Sequence, residues 1–146
     1  MELNTAAAVI SYISKIEQES AQFYEEWANK HKELKEAFLA FAKENHKNEK
    51  NIKRAYYGAV TDALETGFSF KGLEGALVMP LLDNNASSGE VLKASLDLEN
   101  GIREFYLKAA ELSKALLGDV SRAMARVAKI RNTRLTELRL LLEEIQ

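Results

Sequence analysis

A chain of 146 residues with 20 basic and 22 acidic side chains is long enough for one well-buried domain, and its net charge of −2 gives no electrostatic footprint for nucleic acid or an anionic membrane. Cysteine is absent, which excludes disulfides, thiolate metal sites and cysteine nucleophiles. The nearest approach to a spanning segment, "ALVMPLL", is short and holds the only proline, and the opening "MELNTAAAVISY" lacks a basic leader, so a single cytoplasmic domain is expected.

Helical periodicity runs through four long segments, with almost no β-type alternation. The first, about 5–30, carries an inward stripe of Ile10, Ile13, Glu17, Ala21, Tyr24 and Ala28. The second, about 33–59, aligns Phe38, Phe41, Ala42, Asn45, Asn48 or Glu49, Ile52 and Tyr56. A crossover of about 60–87 follows, too long for an ordinary helix–helix connection. It is rich in glycine and apolar residues, and "GLEGALVMPLL" within it reads as a short turn of helix. The third helix, about 88–115, opens with Ser88 as its expected N-cap and aligns Leu92, Ser95, Glu99, Ile102, Tyr106 and Ala109. Gly118 reads as the stop signal after it. The fourth, about 119–145, puts Arg131 and Arg134 in the middle of a stripe made by Met124, Val127, Leu138 and Leu141. Short links within each pair predict two antiparallel hairpins, and the whole reads as one all-α four-helix bundle spanning 1–146.

The hairpins resemble each other. "IEQESAQFYEEWA" matches "LENGIREFYLKAA", each with a glutamate seven residues before the tyrosine of a Phe-Tyr pair: Glu17 with Tyr24, Glu99 with Tyr106. "FLAFAKENHKN" overlays "MARVAKIRNTR", pairing Asn45 with Arg131 and Asn48 with Arg134. These polar positions fall on apolar stripes near mid-helix. A carboxylate or guanidinium there must be paired, metal-bound or neutralised.

With these features the chain resembles the ferritin-like superfamily, specifically its rubrerythrin-type di-iron carboxylate proteins. The likeness covers nearly the whole chain and rests on the two Glu-x6-Tyr helices, the hairpin repeat and the long crossover. It implies a bundle holding two irons through one glutamate from each of helices one and three and a Glu-x-x-His pair from each of helices two and four. Carried across by position, Glu17 and Glu99 match the single glutamates, whereas the pairs fall on Asn45/Asn48 and Arg131/Arg134. Both Glu-x-x-His motifs are therefore missing. Asparagine offers only a neutral oxygen and arginine no practical iron ligand. The expectation is a degenerate di-iron site with no metal and no catalytic residues, in which Arg131 and Arg134 pair with Glu17 and Glu99 and the two asparagines complete the hydrogen bonds.

Other readings stay open at this point. Glu17, Glu99, His46 and Glu49 would make a shifted metal site if helix two rotated, supporting a di-iron or single-metal oxidoreductase, peroxidase or iron-handling protein. The arginines would instead serve a small-anion binder if they met a carboxylate or phosphate. The favoured reading is a non-catalytic protein with a structural, regulatory or partner-binding role. Tyr56, Tyr57, Trp27 and the Phe68/Phe70 region offer faces for a homodimer. His31 is expected at the C-terminal end of helix one, where a partly positive ring suits the dipole. The runs "KHKELKE" and "KNEKNIKR" read as solvated faces with i,i+4 pairing.

Overall fold

Local chemistry sets where each helix starts. Thr5 caps the first helix, its hydroxyl accepting from the Ala8 N–H at 3.0 Å. This helix, α1, runs Ala6–Lys30 and ends at His31, whose own N–H donates to the Trp27 carbonyl at 3.1 Å. A 3-10 turn, Lys32–Leu34, leads directly into α2, Lys35–Ala63. α3 is Ser88–Ser113 and α4 is Gly118–Ile145. The structure, a computed structural model, describes residues 2–63, 72–115 and 118–145.

Several expected boundaries move. α2 continues to Ala63, so residues 60–63, expected in the crossover, are helical. The N-cap of α3 is Ser87 rather than Ser88, because Ser87 and Glu90 form a reciprocal capping box, Glu90 N–H to Ser87 Oγ at 3.2 Å and Ser87 N–H to Glu90 at 2.9 Å. Ser88 is thereby the first helical residue. Gly118 does not stop α3; it is the first residue of α4, and α3 ends five residues earlier at Ser113.

Contacts fix the helix directions. Tyr24 meets Phe38 and Phe41 at ring-centroid distances of 4.8 and 5.2 Å, while the earlier Gln18 bonds the later Glu49 at 3.1 Å, so α1 and α2 are antiparallel. Arg103 bonds Asn132 at 3.0 Å and Ser121 bonds the Ala110 carbonyl at 2.6 Å, which makes α3 and α4 antiparallel. Tyr24 reaches Glu99 and Glu17 is reached by Tyr106, so α1 and α3 also oppose each other. It follows that α2 and α3 point the same way, and the chain between them must return along the bundle.

The described part of that crossover does so. Leu3 N–H bonds the Leu73 carbonyl at 2.8 Å beside the start of α1, and Leu77 N–H bonds the Tyr12 hydroxyl at 2.8 Å about two turns on. At the far end Lys30 reaches Asn84 at 3.2 Å and the His31 ring meets the Ala86 carbonyl at 2.8 Å. Residues 73–83 contain no helix, contrary to the expected turn in "GLEGALVMPLL". Pro80 has no N–H to give, and the segment lies too close to its neighbours to coil. A Cβ on Gly75 would sit 2.9 Å from Tyr12 Cε1, and one on Gly101 of α3 would sit 2.8 Å from Leu77 Cδ2. Residues 64–71, including Phe68 and Phe70, lie outside the described residues.

The four apolar stripes meet in one core that includes Ile13, Phe38, Leu92, Ile102, Met124 and Leu138. Trp27 and Tyr56 belong to it, so of the aromatic residues considered for a dimer face only Tyr57 is exposed among the described ones, at 61%. No helix among the described residues is long and apolar enough to cross a membrane.

Candidate functional site

Mid-bundle, all four helices turn polar side chains inward. Glu17 of α1, Asn45 and Asn48 of α2, Glu99 of α3, and Arg131 and Arg134 of α4 are each 2% exposed or less. The i,i+3 spacing of the asparagines and of the arginines places each pair on one face of its helix.

Arg131 is the centre. Its Nη2 donates to Glu17 Oε1 at 2.5 Å and its Nη1 to Glu99 Oε2 at 2.7 Å, so one planar guanidinium spans carboxylates from opposite helices. Burial alone would lower the Arg131 pKa; the charges of Glu17 and Glu99 outweigh it and hold the group above its ordinary value. The cation is therefore permanent.

Two tyrosines close the arrangement crosswise. Tyr24 of α1 donates to Glu99 Oε2 and Tyr106 of α3 donates to Glu17 Oε2, each at 2.5 Å. Each hydroxyl thus serves the other hairpin's glutamate rather than the one on its own helix. Burial first, and then the facing carboxylate, pushes both phenols well above their usual pKa, so both remain donors.

Arg134 meets Glu99 as expected, but its shorter bonds go elsewhere. Its Nε and Nη2 reach Glu44 Oε1 at 3.0 and 2.9 Å, and Nη2 also donates to the Phe41 carbonyl at 3.0 Å. Only a longer contact, 3.3 Å, joins it to Glu99. Its guanidinium lies over the Phe41 ring at 4.8 Å. Glu44 is the partner that sequence reasoning missed. It lies on the edge of the α2 stripe with a side chain 40% exposed, so a third carboxylate joins the two expected ones and the network is not strictly neutral.

The asparagines also depart from expectation. Asn45 Nδ2 bonds the Glu17 backbone carbonyl at 3.1 Å and Ser20 Oγ at 2.7 Å, not the carboxylates. Asn48 Nδ2 has no partner, and neither do Asn45 Oδ1, Glu99 Oε1 and Arg131 Nε. The network thus has two donors and two acceptors in reserve.

The shifted metal site is not assembled. His46 is exposed and lines a surface hollow with Lys43, Lys47 and Lys50. Glu49 bonds Lys53 at 2.9 Å and Gln18 at 3.1 Å. Although Glu49's partial burial would raise its pKa, bonds from Lys53, Ser14 and Gln18 bring it below the usual carboxylate range. Among the described residues no three His, Asp or Glu side chains gather into a group able to hold a metal ion.

His31 sits at the end of α1 as expected, but its ring serves the crossover. It stacks on Trp27 and contacts the Ala86 carbonyl and, at 3.3 Å, Ser88 Oγ. Ser88 in turn donates to Glu33.

No family model, curated protein or solved structure matches this chain. What the site can do must come from its own chemistry. It holds two buried carboxylates, two guanidiniums and two phenols, with the partly exposed Glu44 at its edge and every carboxylate engaged by a cation.

Proposed function

We propose that this chain is a ferritin-like bundle of the rubrerythrin type in which side-chain charges replace the di-iron centre, and that it acts as a metal-independent scaffold through its surface. The helix directions and the full-length crossover support the family reading. So does the convergence of Glu17, Glu99, Asn45, Asn48, Arg131 and Arg134, the positions that the resemblance assigns to metal ligands.

The observation that carries the functional reading is the Arg131 guanidinium between Glu17 and Glu99, at 2.5 and 2.7 Å, with all three side chains fully buried. Iron held there would need those carboxylates for itself and would face a fixed cation within bonding distance. The residues present do not fit two irons. The surrounding positions offer neutral amides and a second arginine in place of imidazoles and carboxylates.

Metal analysis of protein purified without chelators after growth in added iron tests the reading. It predicts sub-stoichiometric iron, and an unfolding midpoint that neither ferrous iron nor a chelator moves. A ligand present at a hundred times its Kd would add about 2.7 kcal/mol of stability. Stoichiometric iron with an oxo-to-iron absorption band would overturn the proposal.

A further inference from the structure

Outside the bundle centre, one helix face combines charge, exposure and lack of partners. Lys43, Lys47, Lys50 and Arg54 stand at i, i+4, i+7 and i+11 on α2, which puts them in one row, and all four are exposed. The two acids that lie within the span of this row are committed elsewhere, Glu44 to Arg134 and Glu49 to Lys53, while Glu36 stands two turns before Lys43. The pairing expected along "KNEKNIKR" therefore reduces to Glu49 with Lys53, and the four cations of the row have no acidic partner among the described residues. Leu39, 40% exposed, extends the row at one end and Tyr57, 61% exposed, at the other. Beside it lies an open hollow of about 520 Å³ lined by Ala40, Lys43, Glu44, His46, Lys47 and Lys50.

We infer that this face docks an acidic segment of a partner protein, one carrying a row of carboxylates between two apolar residues. The inference rests on the reading of the protein as a scaffold that works through its surface, and names the chemistry of its partner. Charge complementarity selects the occupant. The chain carries −2 overall, so taking away these four cations leaves −6 on the remainder. A long polyanion or an anionic bilayer would meet that negative remainder, whereas a short acidic segment meets the row alone. The cations span roughly 16 Å along the axis and the apolar ends roughly 27 Å, the reach of an acidic helix of about five turns. Leu39 and Tyr57 supply apolar anchors for its ends, and lysine and arginine supply the steering.

The test is fluorescence anisotropy with the full chain and a labelled synthetic peptide of about 18 residues, its glutamates in one helical row between terminal leucines. A glutamine version of the peptide, a single-stranded oligonucleotide and phosphatidylserine vesicles form the other arms. Saturable binding of the glutamate peptide alone, weakening with salt, is expected. The double variant Lys43→Glu/Lys50→Glu should weaken it by at least about tenfold with an unchanged unfolding midpoint, since both side chains are exposed. Equal binding of the glutamine peptide, tighter binding of the oligonucleotide or vesicles, indifference to the charge reversal, or a concentration-dependent dimer abolished by that reversal would each overturn the inference. None of these outcomes bears on the iron content of the bundle centre, so the two readings fail separately.

Discussion

The two hairpins begin alike and end differently. α1 and α3 contribute the same pair, a buried glutamate and a tyrosine seven residues on, and the pairs interlock, Tyr24 with Glu99 and Tyr106 with Glu17. α2 and α4 have no such symmetry. α4 turns two guanidiniums inward, while α2 turns two neutral amides inward and leaves its cations outside. Even the matched glutamates feel this. Glu17 spends one oxygen on Arg131 and the other on Tyr106, whereas Glu99 gathers Arg131, Arg134 and Tyr24 on Oε2 and leaves Oε1 without a partner. A repeated scaffold can thus keep its geometry on one pair of helices while its electrostatics come from one helix of the other pair.

Breaking the asymmetric side at its centre should cost most. Arg131→Ala takes the only cation from buried Glu17 and leaves Glu99 just the longer contact to Arg134, and should lower the unfolding free energy by about 3–5 kcal/mol in a denaturant titration. Arg131→Lys should recover only part of that loss, because a single ammonium lacks the fork that reaches both carboxylates. Arg134→Ala should cost less, about 3 kcal/mol, since Glu99 keeps Arg131 and Glu44 is partly solvated.

The symmetric side sharpens the comparison. Tyr106→Phe should cost about 1.5 kcal/mol, because it leaves Glu17 Oε2 without a donor, and Tyr24→Phe about 1 kcal/mol, because Glu99 Oε2 keeps both arginines. Their pH dependence has a definite sign. Both phenols are held protonated in the folded state, above the ordinary value of 10.0. Their contribution is fully present below pH 10 and is lost as pH rises above it, where the unfolded chain releases protons that the folded chain keeps. The stability difference between wild type and either variant should therefore shrink at alkaline pH. The smallest effect belongs to Asn48→Leu. Its unpartnered amide makes the exchange neutral within about 0.5 kcal/mol or slightly stabilising by thermal unfolding.

Sequence periodicity located the inward stripes well, because residues three and four apart must share a helix face whatever else happens. Every position singled out on α1 and α3 is buried, Glu17 and Glu99 completely. Periodicity says nothing of how a long side chain lies once inside. Arg134 therefore points to an edge residue, Glu44, which the balance of two guanidiniums against two glutamates left without an obvious role. The crossing of the tyrosines was hidden for a related reason: the Glu-x6-Tyr spacing is intrahelical, but the bonds are made between helices. Ser87 took the cap from Ser88 because Glu90, three residues after Ser87, completes the box. The extended crossover follows from close approaches at Gly75 and Gly101, which depend on neighbours far away in the chain.

The central claim, that a guanidinium holds the space between Glu17 and Glu99, is met most directly by diffraction from crystals soaked in ferrous iron and in zinc, with anomalous scattering recorded at both edges. The account predicts planar density of Arg131 bridging the two carboxylates and no anomalous peak among the four helices. A metal peak bonded to Glu17 and Glu99, with Arg131 displaced, would contradict it.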